Sequence, residues 1–390
     1  MKLTDVPGAW WAIAEVADVS SPALVIYPDR ADENLRRMIA IAGDVDRLRP
    51  HMKTHKLAPL VDAHVARGIR RFKCATIAEA EMVARAGATD VLLAYQPVGP
   101  NVRRLVELAR TFPNVSFSAI VDDEMAAVRV SEAAEHAGLA LGLWVDLDVG
   151  MHRTGVPAGA DALQLYRRVA TLRSIVPRGL HAYDGHLRDR DLAVRTSQVD
   201  EAFAPVAALH RALLDEGLPV PAVVAGGTPT FPVHARRAGV DLSPGTSVLW
   251  DAGYATQLPD LDFVGAALVL TRVVSKPGDH RVCVDLGHKA IASEGPHPRV
   301  LLIRPSTIDR ASSANVLGAP ILETTFVGHS EEHLVFESPD AASLAVGDAL
   351  YGIPWHVCPT VALHSEAIVV RDGHAVDRWR ITARERRLTI

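Results

Sequence analysis

The chain has 390 residues, beyond the size at which one hydrophobic core usually stops growing, so a large domain and a smaller second one are expected. Its 48% hydrophobic and 22% charged residues match ordinary folded proteins, and a formal charge of -5 with a pI near 6.4 excludes the basic footprint of a nonspecific nucleic-acid binder. No run of about 18 uninterrupted apolar residues is present, and the opening residues read as neither secretory signal nor transit peptide. A cytoplasmic location and a small-molecule partner are therefore expected, with neither membrane nor nucleic acid involved. Cys74, Cys283 and Cys358 are odd in number and far apart, so they do not make a disulfide framework.

From position 22 the sequence repeats one rhythm, in which a short apolar, β-branched run is followed by a turn and a stretch with apolar residues three and four apart. Strand-like runs fall at 23–27, 47–52, 71–75, 91–95, 116–121, 141–147, 179–183 and 222–225. Helical stretches such as ADENLRRMIAIAG, IAEAEMVARAG and DDEMAAVRVSEAAEHAG follow them, the last two ending at glycines suited to a left-handed C-cap. Eight such units suggest an α/β fold of the closed (β/α)8 TIM type, with an open doubly wound sheet as the competing arrangement. After Tyr254 the rhythm gives way to short strands separated by Gly, Pro and Asp turns, at 263–276, 280–289, 299–305, 333–337, 366–373 and 376–383. The expected division is a segment over 1–20 packing with the C-terminal domain, a barrel over 21–255, and a C-terminal β domain over 256–390.

In a βα barrel functional groups collect where strands end. One such end reads Arg49-Pro50-His51-Met52-Lys53-Thr54-His55-Lys56. Lys53 there suits Schiff-base chemistry, or belongs to a solvated basic patch. Other ends carry Asp146 to Gly155, His181 to His186, and Gly226-Gly227-Thr228. The two glycines and threonine fit a phosphate cradle of N–H groups and a hydroxyl, or a tight turn that needs positive φ. In Pro354-Trp355-His356-Val357-Cys358 an imidazole and a thiol stand two residues apart, on one face if the segment is a strand. That pair fits a divalent metal, or a buried cysteine beside a hydrogen-bonded histidine. Cys74, Cys283, Trp10, Trp11 and Trp250 read as packing residues.

The segments RPHMKTHK, KCATIAEAE, LDVGMHRTG, HAYDGH, AGGTPT, SPGT and HVCPTVALHSE, in this order and spread over nearly the whole chain, resemble the D-threonine aldolase and D-serine dehydratase family. The barrel of that family is similar to the alanine racemase N-terminal domain, a pyridoxal-phosphate fold of type III. The resemblance implies a homodimer joined head to tail with each active site at the subunit interface. It further implies pyridoxal 5′-phosphate in Schiff-base linkage to Lys53, with Arg153 and Tyr183 facing the ring. Gly226, Gly227 and Thr228 would hold its phosphate, with Tyr254 among the cofactor contacts. His356 and Cys358 would bind a divalent metal, zinc or manganese, and His186 would lie near the substrate hydroxyl as a catalytic partner of Lys53. The implied activity is a metal-assisted lyase acting on D-β-hydroxy-α-amino acids. Retro-aldol cleavage to glycine and an aldehyde is expected ahead of dehydration to a keto acid and ammonia. The His-x-Cys pair resembles the dehydratase branch and departs from aldolases, which carry an aspartate there, while FKCATIAEAE, AGGTPTFPVHAR and SPGTSVLWDAGY look like the aldolases. An amino-acid racemase or a noncatalytic pyridoxal-phosphate-binding protein is less expected, since neither accounts for the His356/Cys358 pair together with a C-terminal domain.

Overall fold

The structure, a computed structural model, describes residues 9–295, 297–304 and 321–390. It divides into two compact units, one of Leu35–Ser247 with Thr382–Ile390, the other of the residues up to Asn34 with Val248–Ile381. In chain order β1 (Ala23–Ile26) and α1 (Pro28–Ala42) come first. The first unit then contains β2 (Arg71–Cys74), β3 (Asp90–Leu93), β4 (Ser116–Val121), β5 (Leu141–Asp148), β6 (Val156–Pro157), β7 (Ile175–Ala182), β8 (Ala222–Ala225) and β9 (Val240–Leu242). Apart from β6, a two-residue extension beside the end of β5, these strands pair in parallel in that order.

Residues 48–52 close the ring between β9 and β2. The Arg49 N–H donates to Leu242 O at 2.8 Å and the His51 N–H to Pro244 O at 2.8 Å, while on the other side the Met52 N–H donates to Lys73 O at 2.9 Å and the Lys73 N–H to Pro50 O at 3.0 Å. With the seven strands this makes the (β/α)8 barrel. Its helices are α2 (Ala58–Ala66), α3 (Ile77–Arg85), α4 (Pro100–Thr111), α5 (Glu124–His136), α6 (Ala160–Thr171), α7 (Leu192–Asp215) and α8 (Phe231–His234). Side-chain caps start several of them: Thr76 Oγ1 accepts from Glu79 N at 3.1 Å, and Asp123 Oδ1 from Ala126 N at 2.8 Å. Beyond the ends of α3 and α5, Gly87 and Gly138 take the left-handed conformation expected of them.

The barrel interior is apolar where Leu92, Ile120, Trp144 and Val224 meet. Toward the N-terminal ends of the strands it is ionic. Arg49, with no exposed surface, donates to both carboxylate oxygens of Asp90 at 2.7 and 3.2 Å and lies 3.5 Å from Asp241. Arg178 and Arg71 pair with Asp90 and Asp241 from the rim. Burial works against the charge on both carboxylates. At Asp90 the arginines overcome it and the pKa falls below the ordinary value, whereas at Asp241 burial prevails and the pKa rises.

The second unit holds α9 (Ala252–Gln257), β10 (Ala267–Ser275), β11 (Arg281–Val284), β12 (Val300–Ile303), β13 (Thr325–His329), β14 (Leu334–Glu337), β15 (Ala349–Pro354), α10 (Val357–Leu363), β16 (Glu366–Arg371) and β17 (His374–Arg380). Its sheet runs β13-β14-β11-β10-β1-β16-β17, with β15 also on β10 and β12 on β15. β1 is therefore not the first barrel strand, as the sequence rhythm suggested. It lies between β10, with Ala23 opposite Leu270, and β16, with Leu24 opposite Ala367, and its Leu24, Val25 and Ile26 are completely buried. The barrel correspondingly begins at 48–52 and ends at β9, one strand beyond the expected 222–225.

The boundaries expected at 20/21 and 255/256 shift with it, to 34/35 and 247/248. Residues 382–390 join the barrel unit, where Glu81 accepts the N–H groups of Thr389 and Ile390 and Arg104 donates to Ile390 O at 2.8 Å. Of the segment over 1–20, residues 9–20 belong to the second unit. There the Ala14 N–H donates to Gly373 O at 2.8 Å and Arg272 to Val16 O at 2.6 Å, while residues 1–8 lie outside the described residues. Among the described residues no helix is long and apolar enough to cross a membrane.

Candidate active site

A cleft of about 510 Å³ opens at the C-terminal ends of the barrel strands. His51 and Lys53 reach it from the segment after residue 50, Lys73 from β2 and Ala75 from just beyond it, Tyr95 and Gln96 from beyond β3, and Asp122 from beyond β4. Asp146 and Asp148 enter from β5, Arg153 and Thr154 from the loop after it, and His181 and Tyr183 from β7 and its end.

The Lys53 loop is shaped by its neighbours. Lys56, at φ +53°, ion-pairs with the buried Glu79, whose other oxygen accepts from Ala75 N at 2.6 Å. The KCATIAEAE segment thus fixes the RPHMKTHK turn, and Lys53 rather than Lys56 is left facing the cleft. The loop after β5 is drawn in by Asp148, which accepts from the N–H groups of Gly150 and His152 at 2.9 and 3.0 Å and meets His152 Nδ1 at 2.8 Å. Burial raises the Asp148 pKa, but these hydrogen bonds outweigh it and hold the carboxyl below its ordinary value. Gly155 is required where the loop returns, since at φ +94° a Cβ would lie 2.6 Å from the backbone of Leu147 and Asp148.

Tyr183 is the hub. Lys53 Nζ lies 5.6 Å, Lys73 Nζ 5.5 Å and the Arg153 guanidinium 5.1 Å from its ring centroid. The ring sits where only glycine fits: a Cβ on Gly185 would be 2.1 Å from its Oη, and one on Gly227 would be 3.0 Å from its Cε2. Behind it, Asp184 accepts from Thr230 Oγ1 at 2.6 Å and meets His234 Nε2 at 2.8 Å.

Gly226, Gly227 and Thr228 form a turn tied to its neighbours by hydrogen bonds. The Gly226 N–H donates to Ala182 O, the Gly227 N–H to Thr230 Oγ1 at 3.1 Å, and Thr228 Oγ1 accepts from Gly245 N and Thr246 N at 3.1 and 3.0 Å. The Gly226 and Gly227 N–H groups are thus engaged within the protein. Their observed part is steric, with Gly226 at φ +81° and Gly227 against Tyr183. Beside this turn the buried Ser247 Oγ has no hydrogen-bond partner among the described residues, an unsatisfied donor of the kind an anion would engage.

The sequence reading passed over Lys73, and treated His181 and Asp146 only as residues closing strands. Lys73 is 2% exposed, and its Nζ lies 3.5 Å from His181 Nε2. His181 Nδ1 is 2.6 Å from Asp146 Oδ1. Burial, reinforced by the charge of Lys53, brings the Lys73 pKa down to about 7. Burial also lowers His51 and His181, although Asp146 opposes the shift at His181. His186 does not line the cleft. Its Nδ1 is buried without a partner among the described residues, and its Nε2 lies 3.2 Å from where a Cβ on Gly150 would stand.

In the second unit Tyr254 lies on α9, its ring 5.9 Å from that of Trp250. His356 and Cys358 are not on a strand as supposed. β15 ends at Pro354, His356 is the N-cap of α10, and Cys358 and Pro359 occupy its first turn, where a missing proline N–H costs no helical hydrogen bond. The two side chains still meet through a hydrogen bond, and His356 Nδ1 is 2.5 Å from Glu294 Oε1. Among the described residues no group of three or more His, Cys, Asp or Glu is arranged to hold a metal ion.

A family model described as alanine racemase, N-terminal domain, matches residues 26–249, more than half of the chain. The chain belongs to that family. A second model, for a D-serine dehydratase-like domain, matches residues 266–370. Family members similar to this chain include a D-threonine aldolase from Arthrobacter sp, 32% identical over 95% of this chain and 94% of that one. A D-threo-3-hydroxyaspartate dehydratase from Delftia sp. HT23 is 28% identical over 93% and 97%. The crystal structure of a D-threonine aldolase from Filomicrobium marinum superposes with a TM-score of 0.82 at 30% identity, covering 95% of this chain and 96% of that one. The chain is accordingly an enzyme, a pyridoxal-phosphate-dependent lyase of this family.

Proposed function

We propose that this enzyme cleaves D-β-hydroxy-α-amino acids by a retro-aldol reaction, giving glycine and an aldehyde, with pyridoxal 5′-phosphate and a divalent metal. The observation that carries the reading is the cleft with two lysines and an arginine around Tyr183, in a chain similar over nearly its whole length to a D-threonine aldolase.

The residues fit the cofactor. Lys53 would hold its carbonyl carbon, and Arg153 and Tyr183 its ring. The turn at Gly226, Gly227 and Thr228, with the unsatisfied Ser247 hydroxyl, would receive the phosphate, and Tyr254 is assigned by family likeness. Bound there, pyridoxal phosphate supplies an electron sink for a bond broken at Cα. The cations at Tyr183 favour an anionic cofactor and an amino-acid carboxylate, while His51 and His181, whose pKa values are lowered, remain neutral near pH 7. His186 does not line the cleft itself, and the substrate hydroxyl proton is assigned to it by family likeness, its Nδ1 having no partner among the described residues.

The donors of His356 and Cys358 suit zinc or a similar ion, with Glu294 orienting the imidazole. A divalent ion there supplies Lewis acidity toward a hydroxyl oxygen. Cys358→Ala is expected to lower the bound metal, measured by elemental analysis of the purified protein, and to lower turnover by about 10–100-fold, with the visible cofactor absorbance unchanged. Loss of that absorbance would make Cys358 structural.

Dehydration is the second reading, and Cys358 favours it. Solved structures of a D-threo-3-hydroxyaspartate dehydratase include variants at a histidine and at a cysteine two residues on, the latter in a metal-free form. The deciding assay is product analysis with D-threonine, D-serine and D-3-phenylserine in the presence of pyridoxal phosphate and zinc or manganese. Glycine plus aldehyde supports the first reading, and keto acid plus ammonia supports the second. Neither product from a cofactor-loaded enzyme would reject both for these substrates. A cytoplasmic homodimer is part of the same proposal, tested by sedimentation of the purified protein and fractionation of cells.

A further inference from the structure

A lysine in the floor of a barrel is expensive unless a carboxylate neutralises it, and Lys73 has no ion-pair partner among the described residues. It projects from β2, between the buried Phe72 and Cys74, into the cleft. The groups around it come from every side: Arg49, His51 and Lys53 from the closing segment, Asp146 from β5, Arg153 from the loop after it, His181 from β7, and Tyr183 and Asp184 from beyond its end. Its one close side-chain polar contact among the described residues is His181. Because His181 Nδ1 faces the Asp146 carboxylate at 2.6 Å, the ring proton belongs on Nδ1, and Nε2 is left as a lone pair that accepts from Lys73 at 3.5 Å. Asp146 is in turn held by Thr154 Oγ1 at 2.9 Å. The order carboxylate, imidazole, amine is that of a group held in place by an oriented base.

We propose that Lys73 is a second acid–base amine of the cleft, separate from the cofactor lysine, and that it delivers the proton taken up at Cα. The inference rests on the retro-aldol reading. When Cα–Cβ breaks, the electron pair stays with Cα and the aldehyde leaves. A C–H bond must then form at Cα before glycine departs. Lys73 as ammonium gives that proton and becomes a neutral amine, and the proton lost by the β-hydroxyl makes up the balance, so none is consumed overall. A pKa of about 7 lets the amine hold and release a proton at neutral pH, which an ordinary lysine does poorly.

The test follows exchange of the Cα protons of glycine with D2O by NMR in the cofactor-loaded enzyme. Lys73→Met is expected to lower the exchange rate by about a hundredfold or more with cofactor absorbance at its normal level. Lys73→Arg, which keeps a positive charge but does not release its proton, is expected to be as poor. Exchange within a few-fold of wild type in either variant would overturn the proposal alone. Absence of exchange in the wild-type enzyme would overturn the function reading and this step with it. An independent readout is competitive acylation of the cofactor-free protein across pH, followed by peptide mass spectrometry. Lys73 is expected to half-react near pH 7, and a midpoint among the surface lysines would overturn the proposal whatever the enzyme's reaction. Asp146→Asn, which removes a charge that raises the Lys73 pKa, is expected to move that midpoint down.

Discussion

Lys53→Ala is expected to abolish the visible absorbance of the pyridoxal-phosphate-loaded protein and to lower turnover by roughly a thousandfold or more, the scale seen when a covalent-catalysis residue is removed. The side chain is half-buried at the cleft, and its amine faces the Tyr183 ring rather than a carboxylate, so its truncation leaves no buried charge behind. The stability cost should therefore stay within about 0.5 kcal/mol, and loss of function in a folded protein is the outcome to look for. The presence of Lys73 makes the measurement sharper. Both amines stand at similar distances from Tyr183, 5.6 and 5.5 Å. Absorbance that survives in Lys53→Ala and vanishes in Lys73→Met would assign the cofactor to Lys73 and reject the family-based assignment.

The second large effect is structural. Arg49→Ala is expected to destabilise the protein by about 3 kcal/mol, read as a lower urea midpoint, because removing one partner leaves buried carboxylates uncompensated. Arg178 remains for Asp90 and Arg71 for Asp241, which places the loss at the low end of the range for broken buried pairs. The pH dependence follows from Asp90. Its folded pKa lies below the ordinary value, so its contribution is fully present above about pH 4 and is lost as pH falls through the folded pKa. Arg49→Ala should move that acid loss to higher pH, and an unchanged acid limb would show that Arg178 alone holds Asp90 ionised.

Much of the barrel was legible because its strands are local signals. The runs at 116–121 and 222–225 coincide with β4 and β8, and 141–147 with all but the last residue of β5. β9 was missed because a three-residue strand, Val-Asp-Leu, has no period to recognise, and its central Asp241 reads as a turn residue until Arg49 and Arg71 are placed against it. β1 was recognised as a strand but assigned to the wrong sheet, since nothing within ALVI specifies partners hundreds of positions away. In the site, Lys53, Arg153 and Tyr183 do converge on one cleft. Lys73 carried a readable signal, a charge flanked by Phe72 and Cys74 in a strand-like run, whereas its bond to His181 joins β2 to β7 and exists only once the barrel is closed. The helix at His356 was also readable, from a proline that tolerates only a first helical turn followed by Val361-Ala362-Leu363.

The placement of β1 between β10 and β16 has a bearing on synthesis. β1 is made before any barrel strand and must wait for neighbours beginning at Ala267 and Glu366, so its apolar residues leave the ribosome long before the surface that covers them exists. The barrel's own strands, spanning 48 to 242, are complete well before that sheet can be. During that interval ALVI is an unpaired strand free to join a neighbouring nascent chain, and chaperone demand or insoluble expression should track substitutions in it more closely than substitutions of equal hydrophobicity in β4.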